Sequence, residues 1–287
     1  MSPIYKSEEG ERLVKERYRE ILTRWPVANE QLHLPTREGE TFVIACGPKD
    51  APPVLLFHGA VANSVTWMGD VAAWAEHFRT FAVDMIGEGG LSAPSRPPLD
   101  SDAYALWLDD VLEGLSLDKV SIIGLSLGGW LALDYATRRP GRANALVLLC
   151  PGGVGRQKSG YLLKVLPLLL FGQWGRRKAA AIALGPMDLP DPERARVGLE
   201  FFNLVSRNMK PRYDRLPIFS DDALRQLKIP LLAILGGLDV ILDSDETKKR
   251  LEANVPTAEV IYLPKIGHAV VNQTQRVLDF LRRALSA

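Results

Sequence analysis

Short apolar runs, each closed by glycine or polar residues, alternate along most of the chain with stretches of helical period. The runs are Pro53-Val-Leu-Leu-Phe57 and residues 79–84, 120–124, 145–150, 230–235 and 258–263. The first suits a strand buried on both faces, and the others are read as further strands. The stretches between them predict helices over residues 65–77, 102–114, 127–138, 244–253 and 270–285, and Pro140-Gly141 stops the third. Strand–helix alternation of this kind means βαβ units, a mostly parallel sheet and helices on both of its faces. Ahead of it, Leu13, Val14, Tyr18, Ile21, Leu22 and Trp25 recur near helical spacing over residues 7–25, and Pro26 ends the pattern. This helix is expected to dock on the domain with its charged face in water, and no function is assigned to it. Residues 30–34 and 41–46, joined by the polar turn Arg37-Glu-Gly-Glu40, predict a hairpin, so the sheet should begin antiparallel.

The alternation stops between residues 151 and 220. Helices are expected there over residues 161–170, 175–184 and 193–209, without an intervening strand. An insertion that follows a strand end sits over that edge of the sheet. The expected organisation is therefore a core of residues 1–150 and 221–287, with residues 1–29 as an N-terminal helical segment and 151–220 as a helical cap. A short helix over residues 221–228 leads back into the core. The run Tyr161-Leu-Leu-Lys-Val-Leu-Pro-Leu-Leu-Leu-Phe171 is too short for a membrane anchor and contains Lys164 and Pro167. Packing within the cap is its expected role, with some residues lining an apolar substrate pocket.

Composition narrows the classes. The 287 residues are 47% hydrophobic and 24% charged, with a net charge of +1. That is ordinary globular usage and argues against a nucleic-acid surface. Cys46 and Cys150 both lie in apolar runs and are expected to be buried free thiols, with no disulfide framework or metal site. The N-terminal residues contain no apolar signal core, and no apolar run reaches membrane-spanning length. A cytoplasmic protein without a membrane partner is expected, and a homodimer is left open.

The candidate chemistry lies at the strand ends. Gly124-Leu-Ser126-Leu-Gly128 follows a strand and opens a helix, which is the nucleophile-elbow pattern. The sharp turn strains the middle residue and brings its neighbours close, so glycines flank it. The Ser126 hydroxyl then projects from the sheet edge, and the Leu127 N–H points into the same space as half of an oxyanion hole. A serine hydroxyl is a weak nucleophile and needs a base. Of His33, His58, His77 and His268, only His268 follows the last strand, where Gly267 lets the loop swing over the edge. His58 is better explained as part of its turn. The base needs an acid to hold its tautomer. Asp239, after the strand at residues 230–235, is the candidate. Asp243 and Asp245 sit where helix-capping charge is expected. The second oxyanion donor is expected from the Ala60 N–H, and Asp84, Gly87, Gly89 and Gly90 are expected to shape the neighbouring loop.

His58-Gly59, Asp84…Gly87…Gly89, Gly124-Leu-Ser126-Leu-Gly-Gly129, Gly237-Leu-Asp239 and Gly267-His268 span nearly the whole chain. In these the sequence resembles the α/β-hydrolase superfamily of the small capped type, whose triad runs serine, acid, histidine along the chain. Trp25-Pro-Val27, Asp50-Ala-Pro-Pro-Val54 and His58-Gly-Ala60, with the elbow itself, are similar to bacterial carboxylesterases of the naproxen-esterase (NP) type. The resemblance implies hydrolysis of carboxylic esters by a Ser-His-acid triad without a cofactor. An apolar cap adds an apolar acyl or aromatic part to the expected substrate. One departure is Gly87-Glu-Gly-Gly-Leu-Ser92, which has one residue more than the family's Gly-x-Gly-x-Ser. A lactonase, C–C bond hydrolase, amidase or perhydrolase would use the same triad. A non-catalytic ligand-binding relative would be expected to lack one of its members.

Overall fold

The computed structural model describes residues 4–188, 192–210, 212 and 214–286. Eight strands form one sheet: β1 (Asn29–Thr36), β2 (Gly39–Cys46), β3 (Pro53–Phe57), β4 (Arg79–Val83), β5 (Val120–Leu125), β6 (Ala143–Leu149), β7 (Leu231–Gly236) and β8 (Ala258–Leu263). Their spatial order is β1-β2-β4-β3-β5-β6-β7-β8. β1 and β2 pair antiparallel, β2 meets β4 antiparallel, and the remaining pairs are parallel. The expected hairpin start and parallel body are both present.

The central strands bury both faces, which explains their unbroken apolar character. Leu55 and Phe57 of β3 join one core with helices α3 (Ala103–Gly114), α4 (Leu127–Arg138) and α9 (Ser244–Asn254). Val54 and Leu56 of the same strand join the other, with α1 (Glu8–Leu22), α2 (Val71–Ala75) and α10 (Thr274–Leu285). α1 is capped by Ser7, whose side chain accepts the Gly10 N–H, and it buries Val14, Tyr18, Ile21 and Leu22 as its spacing predicts, while Leu13, of the same pattern, is exposed.

Two helices differ from expectation. Residues 65–77 form a 3-10 turn at Ser64–Trp67 and then the short α2. The break falls at Gly69-Asp70, and the buried Trp67 and Trp74 pack across it with ring centroids 5.9 Å apart. The last helix starts at Thr274 rather than residue 270, because Asn272 adopts φ 58° and cannot continue a helix backward.

Between β6 and β7 lie α5 (Leu162–Leu168), a 3-10 turn at Leu169–Phe171, α6 (Gly172–Leu184), α7 (Pro192–Asn208) and α8 (Asp221–Arg225). α7 is moored to the N-terminal segment. Phe201 stacks on Tyr18 at 5.9 Å, and Val205 and Met209 are buried in the α1-side core. α5 does not follow the expectation of packing. Leu163, Leu166, Leu169, Leu170 and Phe171 are exposed, because α5 and α6 meet through backbone: a Cβ at Gly175 would stand 1.7 Å from the Leu168 carbonyl oxygen. No side chain fits between the two helices at that point, so the leucines turn outward.

Candidate active site

The elbow is built by exclusion of side chains. A Cβ at Gly124 would lie 2.3 Å from the Gly128 carbonyl oxygen, and one at Gly128 would lie 2.2 Å from that of Phe57. With both positions bare, β5 turns into α4 within one residue. Ser126 takes φ 53° and ψ −107°, a conformation a side chain tolerates only when the surroundings impose it. Those surroundings are hydrogen bonds: the Ser126 N–H donates to the Leu149 carbonyl at 2.9 Å, and its own carbonyl accepts from Trp130 and Gly152. Leu127, the first residue of α4, presents a backbone N–H outside the helix ladder.

Three strand ends converge on this serine. His268, in the loop after β8, places Nε2 3.0 Å from Ser126 Oγ. Its Nδ1 lies 2.7 Å from Oδ2 of Asp239, in the loop after β7. The other carboxylate oxygen of Asp239 accepts N–H bonds from Ile241 at 2.7 Å and Leu242 at 2.9 Å. Burial pushes the Asp239 pKa upward, but the His268 contact and these two N–H groups outweigh it and hold the carboxyl below its ordinary value. An ionised Asp239 accepts only, so it takes the Nδ1 proton and leaves Nε2 to accept from the serine hydroxyl. The alternatives stand elsewhere: Asp243 caps α9 through Glu246 N–H, and Asp245 receives the Tyr262 hydroxyl. His33 contacts Glu40 on the exposed hairpin, and His77 is exposed beyond α2.

Cys150 Sγ shares this corner, within 4.8 Å of ligand atoms of Asp239 and His268. Burial, then the Asp239 charge, pushes its thiol pKa far upward. The Asp239 and His268 side chains that it faces are hydrogen-bonded to each other.

The loop after β3 lies against the serine: a Cβ at Gly59 would stand 3.6 Å from Ser126 Cβ. His58 is fully buried and holds this loop from below. Its Nδ1 is 2.8 Å from the Gly59 carbonyl oxygen, and the Met85 N–H donates to its Nε2 at 2.9 Å. Ala60 follows and is exposed. Val61 takes φ 59°, costly for a β-branched residue, and its N–H donates to Oε2 of Glu88 at 2.7 Å. Glu88 is itself buried, with Arg212 Nε 3.5 Å from its Oε1. Asn63 donates to the Gly89 carbonyl at 2.7 Å. Asp84 ties the base of the loop, accepting from the Tyr18 hydroxyl, the Ser64 N–H and hydroxyl, and the Leu91 N–H.

Sequence reasoning missed two of these contributions. Glu88 occupies the loop with one residue too many, and that surplus was its only signal. Tyr18 looked like a docking residue of α1, and nothing in its spacing points to Asp84.

The fold agrees with the comparisons. The model of the Alpha/beta hydrolase family matches residues 54–280, and the chain belongs to that family. Among curated relatives, the uncharacterized carboxylesterase nap of Bacillus subtilis (strain 168) is 33% identical over 257 residues, covering 88% of this chain and 85% of that one. Carboxylesterase YbfK of the same organism is 30% identical and covers 92% of each. Among solved structures, naproxen esterase (carboxylesterase NP) from Bacillus subtilis superposes with a TM-score of 0.83 at 31% identity, covering 96% of this chain and 99% of that chain.

Proposed function

We propose that the protein is a serine carboxylesterase in which Ser126, His268 and Asp239 form the catalytic triad. The observation that carries this reading is the continuous hydrogen-bonded line from Asp239 through His268 to Ser126, with Oγ at 3.0 Å from the base. Its spacing lies within reach for proton transfer. Nε2 takes the Oγ proton as Oγ attacks the ester carbonyl. The carbonyl oxygen becomes an anion held by the Ala60 and Leu127 N–H groups. Collapse of the adduct breaks the ester C–O bond, and His268 returns the proton to the leaving alcohol. A water then gives a proton to His268 and attacks the acyl-serine, and the carboxylic acid departs as Oγ is reprotonated.

An ester with an apolar acyl or aromatic part fits the walls. Val61, Leu125 and Ile266 are half-buried apolar side chains beside the named site residues. Residues 151–220 act as the cap over this edge, and Tyr161 faces inward enough for burial and the Asp239 charge to raise its pKa. The two cysteines are free and buried, as suits a reducing cytoplasm. No helix among the described residues is long and apolar enough to cross a membrane.

The deciding measurement is turnover of a p-nitrophenyl ester series from acetate to palmitate, with Ser126→Ala as control. The variant should lose roughly 10⁴- to 10⁶-fold in kcat, the range seen when a triad member is removed. Its circular dichroism should stay that of the parent. Full turnover by Ser126→Ala would refute the assignment.

A further inference from the structure

The α5–α6 hairpin leaves an apolar surface that the fold does not use. Of ten exposed large hydrophobic side chains among the described residues, seven fall within residues 162–174. Leu163 is 80% exposed, Leu170 86%, Phe171 64% and Trp174 59%. Isolated exposed leucines are common, but a contiguous group on one hairpin marks an interaction surface. Phe171 and Trp174 pack edge to face at 6.2 Å, which gives the tip two aromatic rings.

The charge around this tip has one sign. Residues 161–187 contain four basic residues and no acidic one, although the whole chain balances 35 basic against 34 acidic. Lys164, Arg176, Arg177 and Lys178 are exposed. Lys6, beside them, is pushed below its ordinary pKa by burial and then by the like charge of Arg176. An apolar tip with aromatic rings and a basic rim suits the headgroup region of an anionic bilayer, where apolar side chains enter the acyl boundary and cations meet lipid phosphates. A second copy of the chain fits poorly. A two-fold contact through the tip would bring two rims of the same positive sign together.

The tip also connects to the site. α6 runs from Gly172 to Leu184, and at its far end the Ala269 N–H donates to the Leu184 carbonyl at 3.0 Å and the Gly267 N–H to the Pro186 carbonyl at 2.7 Å. These two N–H groups flank His268. A surface bound at the tip is therefore one helix length from the base.

We infer that the α5–α6 hairpin is a peripheral docking surface for anionic phospholipid bilayers, seated through Leu163, Leu170, Phe171 and Trp174 and steered by Lys164 and Arg176–Lys178. The docking does not depend on the triad, so binding and hydrolysis are separable. The test is flotation of the full-length Ser126→Ala protein with vesicles of phosphatidylglycerol or of phosphatidylcholine, at 50 mM and 500 mM NaCl. Binding to phosphatidylglycerol at low salt should exceed binding to phosphatidylcholine at least ten-fold and should weaken at high salt. Leu163→Ser/Leu170→Ser/Trp174→Ser should lose that binding at least ten-fold. In the Ser126 background, the same triple variant should hydrolyse p-nitrophenyl acetate at the parental rate. Absence of binding to phosphatidylglycerol, equal binding to both lipids, or full binding by the triple variant would each overturn the inference. So would a dimer in gel filtration that the triple variant dissolves, since the hairpin would then serve a second copy.

Discussion

The carboxyl edge of the sheet and the α5–α6 hairpin invert each other's logic. At the edge, Val61, Ser126 and Cys150 all adopt positive φ, yet each is held by the packing or hydrogen bonds around it. Strain is tolerated there because the surroundings over-determine it, and the result is a line of atoms at fixed spacing. On the hairpin the backbone is regular helix, and the side chains are what lack partners. α7, from the same insertion, shows that this is not a property of cap helices in general, since it buries Phe201 and Val205 against α1. A preorganised site needs every group near the reacting atoms satisfied beforehand. A docking surface needs its apolar groups unsatisfied until the partner arrives.

After loss of the nucleophile itself, the largest effect expected from breaking the edge is at Asp239. Asp239→Asn should reduce kcat roughly 10⁴-fold, the cost of a histidine held in the wrong tautomer. Asp243→Asn should leave turnover unchanged and cost α9 little stability, since an Asn oxygen can still accept the Glu246 N–H. Reversal of these two results in steady-state kinetics and thermal melts would reassign the acid.

Glu88 is next. Glu88→Ala leaves the Val61 N–H without its acceptor and Arg212 beside an empty carboxylate site. The loop proposed to supply the oxyanion donor then relaxes, and kcat should fall roughly 10- to 100-fold, less than the 10²–10³ of losing a donor outright. KM should change little. Glu88→Gln keeps a carbonyl oxygen for Val61 and should recover most of the rate. Equal loss in both variants would mean that the charge facing Arg212, not the loop hydrogen bond, carries the effect.

A smaller effect concerns pH. Burial holds the His58 pKa below its ordinary 6.5, because a protonated ring has no lone pair for the Met85 N–H. The unfolded chain therefore binds this proton more tightly than the folded one. The stabilisation is complete above pH 6.5 and is lost as pH falls below it. Tm should decline between pH 7 and 5, and His58→Gln, whose amide can serve both Gly59 and Met85, should decline less steeply. Parallel slopes in the two proteins would count against a neutral His58.

The smallest expected effect is on the hairpin itself. Leu170→Ser should change stability by no more than about 0.5 kcal/mol, as for other surface substitutions, because Leu170 is 86% exposed. A loss of several kcal/mol would mean that the leucine is buried in solution, and the contrast with the edge would disappear.

Much of the edge was legible from residues 119–135 and the later strand ends. The apolar runs specify buried strands, and parallel strands deliver their ends to one edge. Gly124 and Gly128 can be read from the steric demand of the turn, and Asp239 and His268 from their positions after the last two strands. The break at Gly69-Asp70 was not legible, because Trp67 and Trp74 keep helical spacing across it and only their packing divides the helix. Glu88 appeared only as a surplus residue in a glycine-rich loop.

What the sequence determined by itself is local and periodic: which segments are strands, where a glycine is obligatory, and which polar residues follow strand ends. The tertiary structure alone decided the long-range partners. Tyr18 meets Asp84 and Glu88 meets Val61 across 66 and 27 residues. No periodicity records such pairs, because they depend on how loops from different strands stack. Burial of the cap leucines was decided in the same way. Hydrophobicity states that Leu163 and Leu170 favour leaving water, but only the backbone contact at Gly175 determines that this fold offers them nowhere to go.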